Sequence, residues 1–197
     1  MKAIYSVIDT NVLVSALITK KPDSATRNIV AAVDKGEIIP MVNGYILEEY
    51  GDVLLRPKFG FSSEDIFDMM ELFKANGEIY VPQVKDSDFI DADDYVFYAT
   101  YKMREDSYLV TGNLRHFPSE SRIVSPPDMV YTLKLYNEGG SVLNEPQGEY
   151  VSEEKVKRLN RARQAIERMR NAAAENGLSE MTMQEIDEEI MKVRKGV

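Results

Sequence analysis

Four separated places in this chain offer acidic or amide oxygens near the end of a strand or the start of a helix. They are Asp9 after AIYSVI, the pair Glu48-Glu49 in GYILEEYGDVLL, the run Asp91-Ala92-Asp93-Asp94, and Asn113 in VTGNLRHF. Helical spacing sorts the members of each group, because residues three or four apart share a face. Glu49 falls with Ile46, Tyr50 and Val53, whereas Glu48 falls with Gly51 and Asp52 on a solvated side. Asp94 aligns with Phe97 and Tyr98, Asp91 lies one turn earlier, and Asp93 faces water. Each residue alone admits a plainer reading: Asp9 as a helix cap, Glu49 as a rim salt bridge, DADD as a solvated helix start, Asn113 as a turn residue, His116 as a satisfied or exposed histidine. Together, acids gathered at one edge raise one another's pKa, and a divalent cation removes that conflict. The chain has no cysteine and one histidine, so any metal must be held by oxygen, which favours Mg2+ or Mn2+. Such an ion acidifies a bound water and stabilises charge on a phosphoryl oxygen, so the implied chemistry is phosphodiester hydrolysis.

The elements that must bring these groups together are legible as short apolar runs. AIYSVI, IIPMV, EIYVP, SYLVT and RIVS read as strands. Helices are expected over 24–35, over 44–55, from Ser62 to Gly77 with Ile66, Phe67, Met70 and Phe73 on one side, in YVFYATYKM, and in DMVYTLKLY after Pro126-Pro127. Alternating strands and helices predict an α/β fold in three layers, with a central, mostly parallel sheet of about five strands. In such sheets ligands sit beyond the C-terminal strand ends, where Asp9 and Asn113 fall. Residues 1–136 would form this domain, and 137–151, with glycines and a proline and no periodicity, a linker. Over 152–197 the spacing predicts two amphipathic helices without a core of their own. One carries Val156, Leu159, Ile166, Met169 and Ala173 and stops at Gly177. The other opens on Thr182-x-x-Glu185, a capping-box pattern, and aligns Met183, Ile186, Ile190 and Val193.

With 197 residues, 44% of them hydrophobic, the chain can fill one core and carry an appendage. No apolar run reaches the length of a membrane span and no basic-then-apolar leader opens the sequence, so a cytoplasmic protein without a membrane role is expected. The net charge of -9 repels nucleic acid at long range, so such a partner would need bound cations or a local basic surface. Residues 150–197 carry ten Lys and Arg against nine Asp and Glu, which leaves a net charge of -10 to residues 1–149. A tail bearing Arg161, Arg163, Arg168, Arg170, Arg194 and Lys195 could therefore dock beside the acidic site, in its own chain or a partner's, and restrain it. Equally, these helices could form a dimer interface or finish the core.

VIDTNVLVSAL, ILEEYGDVLLRPKF, DADDYVFYATY and YLVTGNLRHFP resemble, in order and spacing, the PIN-domain family, especially the PIN-type (VapC-like) toxins of toxin-antitoxin modules. The similarity covers about residues 3 to 132. It implies a PIN fold and a Mg2+- or Mn2+-dependent endoribonuclease, with the family acids carried onto Asp9, Glu49 and Asp94. Where many members have a further Asp after the fourth strand, this chain has Asn113; Asp91 could compensate. The roles that follow make Asp9 and Asp94 direct metal ligands, Glu49 a ligand directly or through water, and Asn113 an outer ligand or water-orienter. Thr10, Asn11 and Thr111 would hydrogen-bond ligands or phosphate, and Arg115, Arg56 and Lys58 would hold the RNA backbone. The tail is similar in style to the toxin-wrapping ends of antitoxins, in which a basic side chain enters the acidic site. The expected partners are RNA, a second copy in a homodimer or higher homo-oligomer, and either an antitoxin or the chain's own residues 152–197. Two other functions remain open: a catalytically degenerate PIN-fold RNA-binding or scaffold protein, and an aspartyl-phosphate phosphatase, which Asn11 disfavours because a D-x-D pattern would be expected there.

Overall fold

β1 (Ile4–Ile8) lies at the centre of a parallel sheet, with Val7 and Ile8 inaccessible to solvent. The computed structural model describes residues 3–82, 92–139 and 152–196. In this region β1 pairs with β2 (Ile38–Val42) on one side and β4 (Tyr108–Val110) on the other, while β3 (Glu78–Ile79) and β5 (Ile123–Val124) form the edges. All four pairings are parallel, so the five-stranded α/β sheet expected from the sequence is present. The two edge strands are shorter than EIYVP and RIVS suggest, with only two paired residues each. The strand order β3-β2-β1-β4-β5 reverses direction between β1 and β4. There the chain connections diverge and leave a crevice beyond the strand ends, as open α/β sheets do.

Five helices flank the strands: α1 (Thr10–Ile18), α2 (Ala25–Asp34), α3 (Gly44–Leu54), α4 (Ser63–Asn76) and α5 (Ala92–Tyr101), with α6 (Pro126–Gly139) after β5. α1 begins directly after β1 and buries all of its residues but Ser15 to below a few per cent exposure. Helical periodicity is faint there because a helix apolar on every side is covered on every side. On α4 the buried face is Ile66, Met69, Leu72 and Phe73, and Phe67, expected inside, is exposed beneath the Lys74 ammonium. Gly77 ends α4 where no side chain fits, since a Cβ would lie 2.3 Å from the Phe73 carbonyl oxygen and 2.8 Å from that of Pro40. α6 runs on to Gly139, into the segment read as linker; residues 140–151 lie outside the described residues.

What covers α1 and α4 is the tail. α7 (Glu153–Glu175) and α8 (Met183–Arg194) are joined by a short 3-10 turn, Leu178–Glu180, after Gly177 takes the left-handed conformation (φ 70). α7 buries Leu159, Ala162, Ile166, Met169 and Ala173 within the same apolar cluster as the sheet helices, while Val156 stays exposed. It runs antiparallel to α4, so Arg158, Arg161 and Arg168 meet Glu71, Asp68 and Asp65 in reverse order. These arginines are about half exposed, and such pairs add little; the apolar face holds α7 in place. The predicted capping box opens α8: the Thr182 hydroxyl accepts from the Glu185 amide, and the Thr182 amide donates to the Glu185 carboxylate at 2.7 Å. Among the described residues no helix is long and apolar enough to cross a membrane. If α7 belongs to the cooperative core, Ile166→Ala lowers the stability of the whole protein by about 2–5 kcal/mol. Urea unfolding followed by near-UV and far-UV dichroism would show one displaced transition; an early, separate far-UV loss would show instead that α7 melts alone.

Candidate active site

Asp9 stands where β1 becomes α1, at the N-cap position, yet its side chain makes no cap hydrogen bond. Its amide donates to the Val110 carbonyl at 2.9 Å, fastening the end of β1 to the end of β4. The carboxylate turns into the crevice, accepting from Thr111 Oγ1 at 2.6 Å and Asn11 Nδ2 at 3.0 Å. Asp9 is 3% exposed. Burial pushes its pKa up to about 7; the Thr111 hydroxyl opposes this, the charges of Asp94 and Glu49 reinforce it, and the Arg194 cation offsets part of it.

Glu49 reaches the same crevice because both ends of the first half of α3 are anchored. Asn43 caps the helix by accepting from the Ile46 amide and donates to Thr100 at 2.8 Å, and the Tyr50 hydroxyl donates to the Ile8 carbonyl at the end of β1. Tyr50 fixes the rotation of α3, so the neighbouring Glu49 accepts from the Thr10 hydroxyl at 2.5 Å. Asp94, in the first turn of α5, is 4% exposed beside buried Phe97, while Asp93 is largely solvated, as helical spacing indicated. Asp91 lies outside the described residues.

One side chain from the tail enters among these acids. Arg194, at the last turn of α8, donates from Nε and Nη2 to the two oxygens of Glu49 at 3.0 and 3.1 Å, and from Nη1 to Asp94 at 2.8 Å. Its side chain is 6% exposed. Burial alone would lower its pKa, but Glu49 and Asp94 hold it above the ordinary arginine value. Two further residues complete the centre: His116, read from the sequence as a satisfied or exposed histidine, and Asp187, which the sequence analysis did not mark. His116 places Nδ1 3.1 Å from Asp94 and Nε2 2.8 Å from Asn113 Nδ2, so the neutral tautomer with its proton on Nδ1 satisfies both contacts. Asp187 of α8 accepts from Asn11 Nδ2 at 3.1 Å and Asn113 Nδ2 at 3.3 Å. The signals were present but slight: His116 follows Asn113 by three residues, and Asp187 precedes buried Ile190 by three.

The remaining expected residues divide. Thr10, Asn11 and Thr111 are almost wholly buried and bind the acids themselves; they position carboxylates, where the sequence suggested direct contact with phosphate. A Cβ at Gly112 beside them would lie 2.6 Å from the Met183 sulfur and 3.1 Å from Asn11 Oδ1, so the end of the Met183 side chain would have to shift to admit one. Arg115 is exposed on the rim of a cleft of about 740 Å3 that Asn113, His116, Asp187 and Lys195 also line. Arg56, about a quarter exposed, and Lys58, 44% exposed, both meet Glu189 of α8.

Among the described residues no three His, Asp or Glu side chains converge closely enough to hold a metal ion in this conformation, in which Arg194 lies between Glu49 and Asp94. The donor set nonetheless fits a hard divalent cation. Carboxylates from β1–α1, α3 and α5 share one water-poor crevice with no competing thiolate, and a nearly buried Asp9 is driven toward its neutral form unless positive charge stands near. The consequence for stability has a definite sign. With a folded pKa of about 7 against an unfolded value of about 3.9, the stability due to protonated Asp9 is complete below pH ~4 and is lost as pH rises through about 7. In EDTA the Tm of the parent protein should fall more between pH 5 and pH 8 than that of Asp9→Asn; parallel profiles would refute the raised pKa.

No curated protein and no solved structure matches this chain. A family model described as PIN domain matches residues 5–115, which span β1 through the turn that carries Asn113 and cover more than half of the 197 residues. Such domains are in general nucleases that use divalent metals. The chain belongs to the PIN-domain family.

Proposed function

We propose that this protein is a Mg2+- or Mn2+-dependent endoribonuclease of the PIN toxin type, closed by its own C-terminal helix in place of a separate antitoxin. One observation carries the reading: the Arg194 guanidinium spans Glu49 and Asp94 in the crevice where the PIN fold gathers its acids. A cation sits where a cation is needed, and it comes from the tail.

In the open enzyme Asp9 and Asp94 would hold the metal directly, and Glu49 would hold it directly or through water. When bound, the ion acidifies a water and stabilises charge on the phosphoryl oxygen. The protein's own groups prepare the place. Thr111 and Asn11 orient Asp9, Thr10 orients Glu49, and the Nδ1 proton of His116 orients Asp94. Asn113 offers a neutral oxygen once its amide is released from Asp187, which lowers the negative charge of the site relative to a fourth carboxylate.

Metal and Arg194 compete for the same oxygens, so removing the guanidinium should favour the metal-bound form by mass action. In full-length Arg194→Gln, cleavage of a labelled RNA with Mn2+ should rise by about tenfold or more over the parent, equivalent to ~1.4 kcal/mol of relieved competition. Asp9→Asn in the same background, or EDTA, should abolish it. Mn2+ should also raise the Tm of Arg194→Gln more than that of the parent. A folded Arg194→Gln protein that neither cuts RNA nor gains stability from Mn2+ would leave a non-catalytic PIN-fold scaffold.

A further inference from the structure

α8 binds the body of the protein through three charged side chains, and only Arg194 addresses the acids. Glu189, 3% exposed, is held by two cations that follow α3: Arg56 Nη2 at 3.4 Å and Lys58 Nζ at 3.2 Å. Lys192, one turn along α8, adds a third contact at 2.8 Å. Asp187 meets the amides of Asn11 and Asn113. A buried carboxylate on a helix that otherwise presents Ile186 and Ile190 to the core is costly unless the surface beneath it is built for an anion. Arg56 and Lys58 belong to that surface.

The pattern of charges is that of a different ligand. A carboxylate fills a cationic pocket, another carboxylate accepts from two amides, and a guanidinium sits among carboxylates. A nucleic-acid strand with its metal would present the same sequence of charges, with phosphate oxygens at the first two places and the cation at the third. Glu189 and Arg194 are five residues apart, about 7.5 Å along the helix axis, so the cationic pocket lies close to the acids. We infer that α8 is a charge replica of the metal-loaded substrate, and that Arg56 and Lys58, now occupied by Glu189, form a subsite for a backbone phosphate next to the bond that is cut. The track that α8 vacates has the width of one helix, about 10 Å, which suits a single strand. This inference rests on the nuclease reading for the word substrate, but the phosphate subsite can be tested without catalysis.

The probe is a fluorescent single-stranded 2′-O-methyl oligonucleotide, which resists cleavage, titrated by anisotropy against the full-length protein in EDTA over a range of salt. Glu189→Gln keeps the shape of the side chain and removes its charge, and should tighten binding by about tenfold or more. Adding Arg56→Gln and Lys58→Gln to it should cancel the gain and make the dependence of log K on log salt shallower by about 0.7, since each phosphate neutralised on a single strand contributes about that much. Lys74→Gln, on the far side of α4 against Glu71, should leave the slope of Glu189→Gln unchanged. If the triple variant does not fold, Glu189→Gln with Lys58→Gln alone should bind more weakly than Glu189→Gln and reduce the slope by part of that ~0.7. Unchanged affinity in Glu189→Gln, or an unchanged slope when the two cations are lost, would overturn the subsite. Metal-dependent cutting by Arg194→Gln with no effect of Arg56 or Lys58 on binding would sink the subsite and leave the nuclease. The predicted slope change without any cutting would sink the nuclease and leave the subsite.

Discussion

Carboxylates gathered where water is scarce demand positive charge, and much of the polar chemistry of this protein answers that demand. Asp9, Glu49 and Asp94 arrive from three elements because the sheet reverses between β1 and β4 and leaves one crevice for their side chains. Fixed donors orient them: hydroxyls of Thr10 and Thr111, amides of Asn11, the ring of His116. These donors satisfy lone pairs, but they bring no net charge in the neutral tautomer of the histidine. Arg194 brings it. A guanidinium presents its donors in a rigid plane and can serve two carboxylates at once, which a lysine ammonium could reach only as a point charge.

The two tail helices are held by different physics, and the difference decides what each can do. α7 is held by apolar burial against α4 and α1, a contribution that neither a metal nor an anion can replace. α8 buries only Ile186 and Ile190 among its apolar residues, and its other strong contacts are Asp187, Glu189 and Arg194, each of which a charged ligand could match. The boundary between what is fixed and what can be exchanged therefore falls at Gly177 and the short turn before Thr182.

Much of this was legible from residue order alone. The strand at 4–8, the inward face of Glu49 and the buried side of Asp94 followed from β-branched runs and helical spacing, because these depend on local period. So did the capping box at Thr182 and the stop at Gly177. What the sequence hid were relations across the fold. Thr111 and Asp9 are 102 residues apart, and nothing local marks a buried threonine as the partner of an acid rather than a contact for phosphate. Phe67 lies on the expected helical face but is exposed, because α7 covers α4 on the side of Met69 and Leu72. The charge of the tail was legible as a total, whereas the choice of Arg194 from among its arginines depends on where α8 ends. Glu189 was the least visible: one acid in an acidic stretch, distinguished only by lying three residues after Ile186 and four before Val193.

Under the proposed reading, carrying the latch in the same chain changes the affinity it needs. Only the turn from Asn176 to Thr182 separates α8 from the firmly packed α7, so docking is intramolecular, with an effective concentration of roughly millimolar for a short flexible tether and higher for a stiff one. Weak contacts then suffice to keep the site closed, and a few polar pairs with two isoleucines are enough. Under the proposed reading, a metal ion alone displaces one end of α8 while Glu189 still holds the other, and an RNA strand alone displaces the second end while Arg194 still holds the acids. Either ligand gains access only by opening the helix, and the first to do so removes part of the cost for the next. Metal and RNA should thus favour one another's binding through the latch, beyond any direct contact between them, and the closed state is most secure when neither is present.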